Sequence, residues 1–337
     1  MRTTARAAIA VLATSAVLAL SACSTPESDA ADSTDAPSDA AAAGDDTGSW
    51  PRTVEHEAGT AEIPEQPLTI VSTSITLTGT LLAIDAPVTA SAATSVSPLT
   101  DDAGFFTQWA DVAAERGVEV LYPDLELDLE AIELAEPDLI IGSTIGADTT
   151  LEAYDQLNEI APTIMLDYGS HSWQDLAATL GEATGLEEEA DAVVETYDAW
   201  VAEQADLLEL PEQPVTALAY NGADGGRVFS DVSAQADVLT ALGFTYVAAP
   251  EELASEVRSD TSAVTQENLP AALDGVQTIF VAAGGDQDAA AVLEDPLLAN
   301  QAAVAAGRVL PLGPTSFRID YYSATDMVEV LVAEYGS

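Results

Sequence analysis

From Thr69 onward the chain alternates between short unbroken apolar runs and longer stretches with an apolar residue every third or fourth position. The first pattern predicts strands buried on both faces, the second helices with one buried stripe. "LTIVS" (Leu68–Ser72) and "VTASA" (Val88–Ala92) read as strands around the helix-like "TSITLTGTLLAID". "FFTQWADVAAERG" (Phe105–Gly117) is helical, "VEVLY" (Val118–Tyr122) a strand, "LDLEAIELAE" (Leu127–Glu136) helical and "DLIIGS" (Asp138–Ser143) a strand. "YDQLNEIAP" and "TIMLDY" add one more helix and strand. Strands alternating with helices predict a parallel sheet with right-handed crossovers.

The alternation then stops. "SWQDLAATLGEATG" (Ser172–Gly185) predicts one helix, and Leu186–Leu210 a longer one. The longer helix opens on three glutamates, which suit a helix N-terminus. Its apolar positions Ala190, Val193, Val194, Tyr197, Trp200 and Val201 keep helical spacing. About 24 residues give it roughly 36 Å, and Pro211 and Pro214 close it. A second alternating run follows, from "VTALAYN" through "RVFS", "AQADVLTALG", "TYVAA", "ENLPAAL", "TIFVAAG" and "GRVLPLG" to "DYYSATDMVEVLVAEYG". The predicted fold is α/β: two Rossmann-like lobes, 51–185 and 211–337, joined by a single long α-helix, 186–210.

The first fifty residues follow a different pattern. Arg2 and Arg6 precede the apolar "AAIAVLATSAVLAL", which is too short and alanine-rich for a membrane span and reads as a signal peptide over 1–22. Leu20-Ser21-Ala22-Cys23 looks like a lipobox, with Cys23 as the thiol that receives the lipid. Cys23 is the only cysteine, so no intramolecular disulfide can form. The segment 23–50 is rich in Ser, Pro, Ala and Asp; it predicts an acidic tether holding the body at the extracytoplasmic membrane face.

Charge narrows the partners. The 337 residues carry 58 acids and eight bases, all arginine, for a formal −50. No broad basic face can be built, which argues against nucleic acid or anionic lipid as a partner. The same count makes each arginine notable. Arg318 follows the last predicted strand and precedes the last helix, with Phe317, Tyr321 and Tyr322 beside it. Ligands of open α/β sheets sit beyond the carboxyl ends of strands, and two lobes place that position in the cleft between them. Ser72 and Thr73 follow the first strand and offer hydroxyls to the same rim.

The segments Val71–Val88, Asp101–Trp109 ("DDAGFFTQW"), Pro137–Ile141, Tyr154–Thr163, Pro214–Tyr220, Glu267–Gly275 and "FRIDYYSA" (Phe317–Ala324) are familiar as an ordered set. They resemble the solute-binding proteins of bacterial iron-siderophore ABC importers, most closely the members that bind ferric enterobactin. The resemblance implies two Rossmann-like lobes with a rigid helical spine, a lipid anchor in single-membrane bacteria, and capture of an iron(III) complex of an organic chelator. The chelator supplies the iron ligands, so no resident cofactor or protein metal site is implied. A tris-catecholate complex is trianionic with an aromatic exterior, and arginine forks flanked by aromatic faces suit it.

By that resemblance Arg318, Arg258 in "EVRSDTSAV" and Phe229 in "RVFSDVSAQ" match pocket positions; Arg227, Tyr321, Tyr322 and Trp109 are further candidates. Adjacent tyrosines on a helix point about 100° apart, so one of the pair faces a ligand. Phe105, Phe106 and Trp109 also have the spacing of a core stripe. The chain departs from the family pattern at Ser95–Thr100, which lacks the basic residue found before "DDAGFF" in the relatives. That leaves room for a catecholate or mixed-ligand siderophore other than enterobactin. The resemblance also implies permease docking through surface carboxylates, for which Glu119 and Glu251 are candidates. Haem, cobalamin or a ferric hydroxamate stay open as alternative ligands of the fold, and a lipid-anchored α/β enzyme or scaffold as an alternative class. No nucleophile–base spacing, Walker loop or HExxH motif points to an enzyme.

Overall fold

A computed structural model describes residues 49–336. The signal peptide, Cys23 and nearly all of the expected tether lie outside the described residues. Trp50, placed by the sequence at the end of the tether, packs against the core, with the Arg52 guanidinium 4.5 Å from its ring centroid.

The body opens with an antiparallel hairpin that the apolar pattern did not announce, β1 (Arg52–His56) and β2 (Gly59–Ile63). The first lobe follows as β3 (Ile70–Ser72), α1 (Ile75–Ala83), β4 (Val88–Ser91), α2 (Thr107–Arg116), β5 (Glu119–Val120), α3 (Leu129–Leu134), β6 (Leu139–Ser143), α4 (Tyr154–Ile160) and β7 (Thr163–Leu166). Its sheet has the order β5-β4-β3-β6-β7, all parallel. Every residue of β3, β6 and β7 is buried, as their continuous apolar runs require. The chain moves outward from β3 in both directions, so the carboxyl end of β3 is the switch point of the sheet.

Two helices follow. α5 (Trp173–Thr184) starts on a Ser172–Asp175 capping box and stops at Gly185 in the left-handed conformation. α6 (Glu187–Ala205) has 19 residues, roughly 28 Å. It is shorter than predicted because the chain beyond it turns to the C-terminal segment: the Glu209 N–H donates to the Tyr335 carbonyl, and Leu208 bridges Gly336.

The second lobe comprises β8 (Val215–Tyr220), β9 (Gly226–Phe229), α7 (Ala234–Ala241), β10 (Glu256–Val257), β11 (Thr261–Val264), α8 (Leu269–Ala272), β12 (Thr278–Val281), α9 (Asp286–Glu294), α10 (Ala302–Ala305), β13 (Val309–Pro311) and α11 (Tyr321–Tyr335). Its sheet is mixed rather than fully parallel, in the order β10-β11-β9-β8-β12-β13. β8, β12 and β13 are parallel, but β9, β10 and β11 form an antiparallel extension. The expected strand "TYVAA" makes only a single bridge, Tyr246 to Val215. No helix of the described residues is long and apolar enough to cross a membrane.

The lobes are covalently joined through α5 and α6, yet α11 also spans them, packing on α1 and α2 of the first lobe and on α6 and α7. One hydrophobic core therefore runs from Leu77 and Trp109 in the first lobe to Phe280, Met327 and Leu331 in the second. The closest approach is at Gly79 in α1. A Cβ there would lie 2.3 Å from Asp320 Oδ2 and 2.9 Å from Trp109 Cδ1. Glycine lets the start of α11 rest on α1. We predict that Gly79→Ala lowers stability by about 1–3 kcal/mol through overpacking, measured as a shift in the denaturant midpoint; an unchanged midpoint would show that the two helices separate freely.

Candidate functional site

Arg318 sits where topology placed it, between the turn after β13 and the start of α11. A 3₁₀ turn, Pro314–Phe317, precedes it. Gln235 at the start of α7 fixes that turn, its Nε2 donating to the carbonyls of Ser316 (3.0 Å) and Phe317 (3.1 Å). On the other side, buried Asp320 caps α11 by accepting from the Ser323 N–H at 2.9 Å. Arg318 is thus held between a clamped turn and a capped helix, in extended conformation.

Its guanidinium lies between two aromatic faces, with Cζ 4.2 Å from the Phe317 centroid and 5.3 Å from that of Tyr168. Tyr168 belongs to the first lobe, so the stack crosses the cleft. The lining residues agree. One cavity is bounded by Leu99, Phe106 and Gln108 from the first lobe and Thr315, Phe317 and Arg318 from the second. A second is bounded by Thr76, Tyr168 and Gly169 on one side and Gln235, Asp260 and Arg318 on the other. Each is about 20 Å³, room for roughly one water.

The other arginines of the body are engaged. Arg52 pairs with Glu187, Arg116 with Asp85, Arg227 with Glu256, and Arg258 with Asp260. Arg308 donates to the Gln277 carbonyl and side chain. Among the described residues, Arg318 alone of the arginines has neither a carboxylate nor a hydrogen-bond acceptor for its guanidinium. The nearby acids do not serve it: Asp326 accepts from Thr315 and Asp320 from Ser323 and Gln108. Its five N–H donors are left without a protein acceptor in a half-buried cleft.

Several sequence candidates fall elsewhere. Trp109 is fully buried in the core against Phe105 and Phe106, one ring behind the cleft wall. Phe229 is buried too, edge-on to Phe317 at 6.2 Å, so it backs the wall. Tyr321 faces Trp173 and Tyr197 on the α5–α6 side, and Tyr322 packs edge-on against Tyr321; neither lines the Arg318 cavities. Arg227 lines neither cavity and stands in one cross-strand row with Ala263 and Glu256, where the small alanine lets the charges meet. Arg258 stands at the cleft lip but is paired with Asp260, Nη2 donating to Oδ2.

Ser72 and Thr73 are buried and satisfied within the first lobe. Ser72 Oγ donates to the Ser74 carbonyl, and Thr73 Oγ1 meets Thr150 and the Ile141 carbonyl. The start of α1 is already occupied by a protein carboxylate. Buried Asp148 accepts from Ser74 Oγ (2.6 Å), the Thr76 N–H (3.1 Å) and Tyr168 Oη (3.0 Å). The chain fills its own helix-end anion site and uses it to orient Tyr168. Burial also pushes the Tyr168 phenol well above its ordinary pKa, so it remains a neutral donor.

Tyr168, Gln108, Gln235, Asp148 and Asp260 were not read from the sequence. Tyr168 had a signal: it ends the segment "TIMLDY", two residues beyond the strand Thr163–Leu166, by the rule that found Arg318. Glu119 on β5 and Glu251 are exposed and take part in no ion pair among the described residues. Two wider grooves lie apart from Arg318. One, about 790 Å³, is lined by Glu130, Glu133, Glu136 and Glu159 and would repel an anion. The other, about 390 Å³, holds Glu55, His56, Glu57 and His171.

These two lobes, with a cleft between them and helices spanning both, define a bilobal solute receptor. Residues 70–315 match the family described as periplasmic binding protein, and the chain belongs to it. It is 43% identical, over 84% of its length and 91% of the relative's, to the ferric enterobactin-binding periplasmic protein FepB of Escherichia coli O6:H1. It is 28% identical to the probable siderophore-binding lipoprotein YfiY of Bacillus subtilis, over 68% of this chain and 64% of that one. Its fold superposes on the crystal structure of holo-ViuP with a TM-score of 0.81 and 38% identity, covering 86% of this chain and 96% of the other.

Burial raises the Asp320 carboxyl to about 6, offset in part by donors from Ser323 and Gln108. The folded protein then holds a proton that the unfolded chain releases, so stability falls as pH rises from about 4 to about 6. We predict that Asp320→Asn flattens this slope in urea midpoints compared across that range; an equal slope in both proteins would place the titration elsewhere.

Proposed function

We propose that this chain is an extracytoplasmic lipoprotein that captures a ferric siderophore of the catecholate class in the interlobe cleft and delivers it to an ABC permease. The observation that carries the reading is the acceptor-free Arg318 guanidinium between Phe317 and Tyr168. Catecholate oxygens bound to iron are anionic and lie in the plane of aromatic rings. A cation between two ring faces matches both properties. Iron enters as chelated cargo, so the protein contributes charge, ring faces and shape.

The cavities beside Arg318 are far smaller than the several hundred Å³ a chelate of this size needs. Loading therefore requires the cleft lip to part. Ser259 at the β10–β11 tip donates to Asp167 of the first lobe at 3.3 Å, and Gly169 has no room for a Cβ beside Ser259. These contacts are the ones to open. Glu119 and Glu251 are the proposed permease contacts, and Cys23 the proposed lipid attachment.

Tryptophan quenching suits the test, since Trp109 packs edge-on against Phe106 of the cleft wall. Ferric catecholates are expected to quench and saturate at lower concentration than a ferric hydroxamate or haem. Arg318→Ala should weaken the catecholate by about 10- to 100-fold, the scale of one charge-assisted contact. Arg318→Lys should recover only part, having lost the planar fork. Tight binding of haem with no response to catecholates would overturn the assignment. For the anchor, full-length protein from a lipoprotein-processing host is expected in the membrane fraction and Cys23→Ala in the soluble fraction; identical fractionation would remove lipidation at Cys23.

A further inference from the structure

The cleft contains a carboxylate that an anion receptor would be expected to exclude. Asp260, at the β10–β11 tip, is buried and lines the same cavity as Arg318. Its Oδ2 accepts from Arg258 Nη2 at 3.3 Å, its Oδ1 lies 3.2 Å from Arg258 Nε as an ion pair, and Thr261 Oγ1 donates to Oδ1 at 3.1 Å. This hydrogen-bonded ion pair neutralises Arg258 where it stands. Facing this tip, the first lobe adds Asp167, which accepts from Ser259, and Asp148 beneath Tyr168. Among the described residues, Arg318 is then the only uncompensated arginine at the cleft. No basic residue occurs at Ser95–Thr100 to add a second.

We infer that Asp260 sets the charge of the chelate the cleft accepts, by cancelling Arg258 and leaving a site matched to a monoanionic ferric complex rather than a trianionic one. The inference rests on the siderophore reading above and deepens it. A trianion in this cleft meets one free cation and a buried carboxylate, and like charges at close range are strongly penalised. A monoanion, such as a ferric bis-catecholate, is balanced by Arg318 alone. Hydroxyl or amide donors on the same chelate can use Asp260 as an acceptor.

The test is a quenching titration of the full body with three iron(III) probes: a trianionic tris-catecholate, a monoanionic bis-catecholate and a neutral tris-hydroxamate. Wild type is expected to bind the monoanion more tightly than the trianion. Asp260→Asn removes the charge and releases Arg258, and should raise trianion affinity by about tenfold or more, with little change for the neutral probe. Asp260→Glu keeps the charge and should keep the wild-type ratio. Wild-type preference for the trianion, an unchanged ratio in Asp260→Asn, or equal changes in the Asn and Glu variants would overturn the inference while leaving siderophore binding in place. Binding of no iron complex by wild type would remove the siderophore reading and this inference with it.

Discussion

The close approach of α1 and α11 at Gly79 fixes the rest of the molecule. Because a glycine stands there, Asp320 can lie against α1, cap α11 and meet Gln108 of α2. Two residues earlier in the chain is Arg318. The interlobe contact and the proposed binding group are therefore one local structure: the carboxylate that seats α11 in the first lobe also sets the direction from which the guanidinium enters the cleft. The contact buries Asp320 without a cation, which raises its pKa, and the hydrogen bonds from Ser323 and Gln108 offset only part of that cost.

The electrostatics follow from scarcity. In a chain with 58 acids and eight arginines, an arginine will nearly always find a carboxylate. Four of those in the body do, from the exposed Arg116–Asp85 pair, of a kind that adds little stability, to Arg258–Asp260, whose carboxylate is buried. Arg318 escapes because Phe317, Tyr168 and Gln235 surround it and the carboxylate of its cavity, Asp260, is taken by Arg258. Salt screens the diffuse negative field of the surface beyond about 8–10 Å, but not a half-buried guanidinium acting at contact distance. A receptor for anions can therefore be built inside an anionic body.

The sequence carried the architecture well and the site unevenly. The lobes, the linking helices and Arg318 were legible because each is written in local pattern or in chain order, strand before loop before helix. The antiparallel half of the second sheet was not, since β9, β10 and β11 are short runs whose direction depends on partners distant in sequence. Ser72 and Thr73 occupied the right topological position, but Asp148, some seventy-five residues away, takes the helix end they were expected to offer. Trp109 and Phe229 were near misses of one layer, because periodicity identifies a buried face without saying how deep it lies. Arg258 matched a basic position of the second lobe by resemblance, but its pairing with Asp260, two residues on, has no signature in the sequence.

The two-point bracing of the lobes has a mechanical consequence. A receptor joined by one flexible crossing can swing like a clam. Here α6 and α11 both bridge the halves, and a single apolar core passes beneath them. Rotation about one strut would shear the other and tear that core. The low-cost movement is instead a lifting of the β10–β11 tip from the 167–169 loop, held by polar contacts that water can replace. Cargo exchange is accordingly a matter of raising an edge, with the frame staying still.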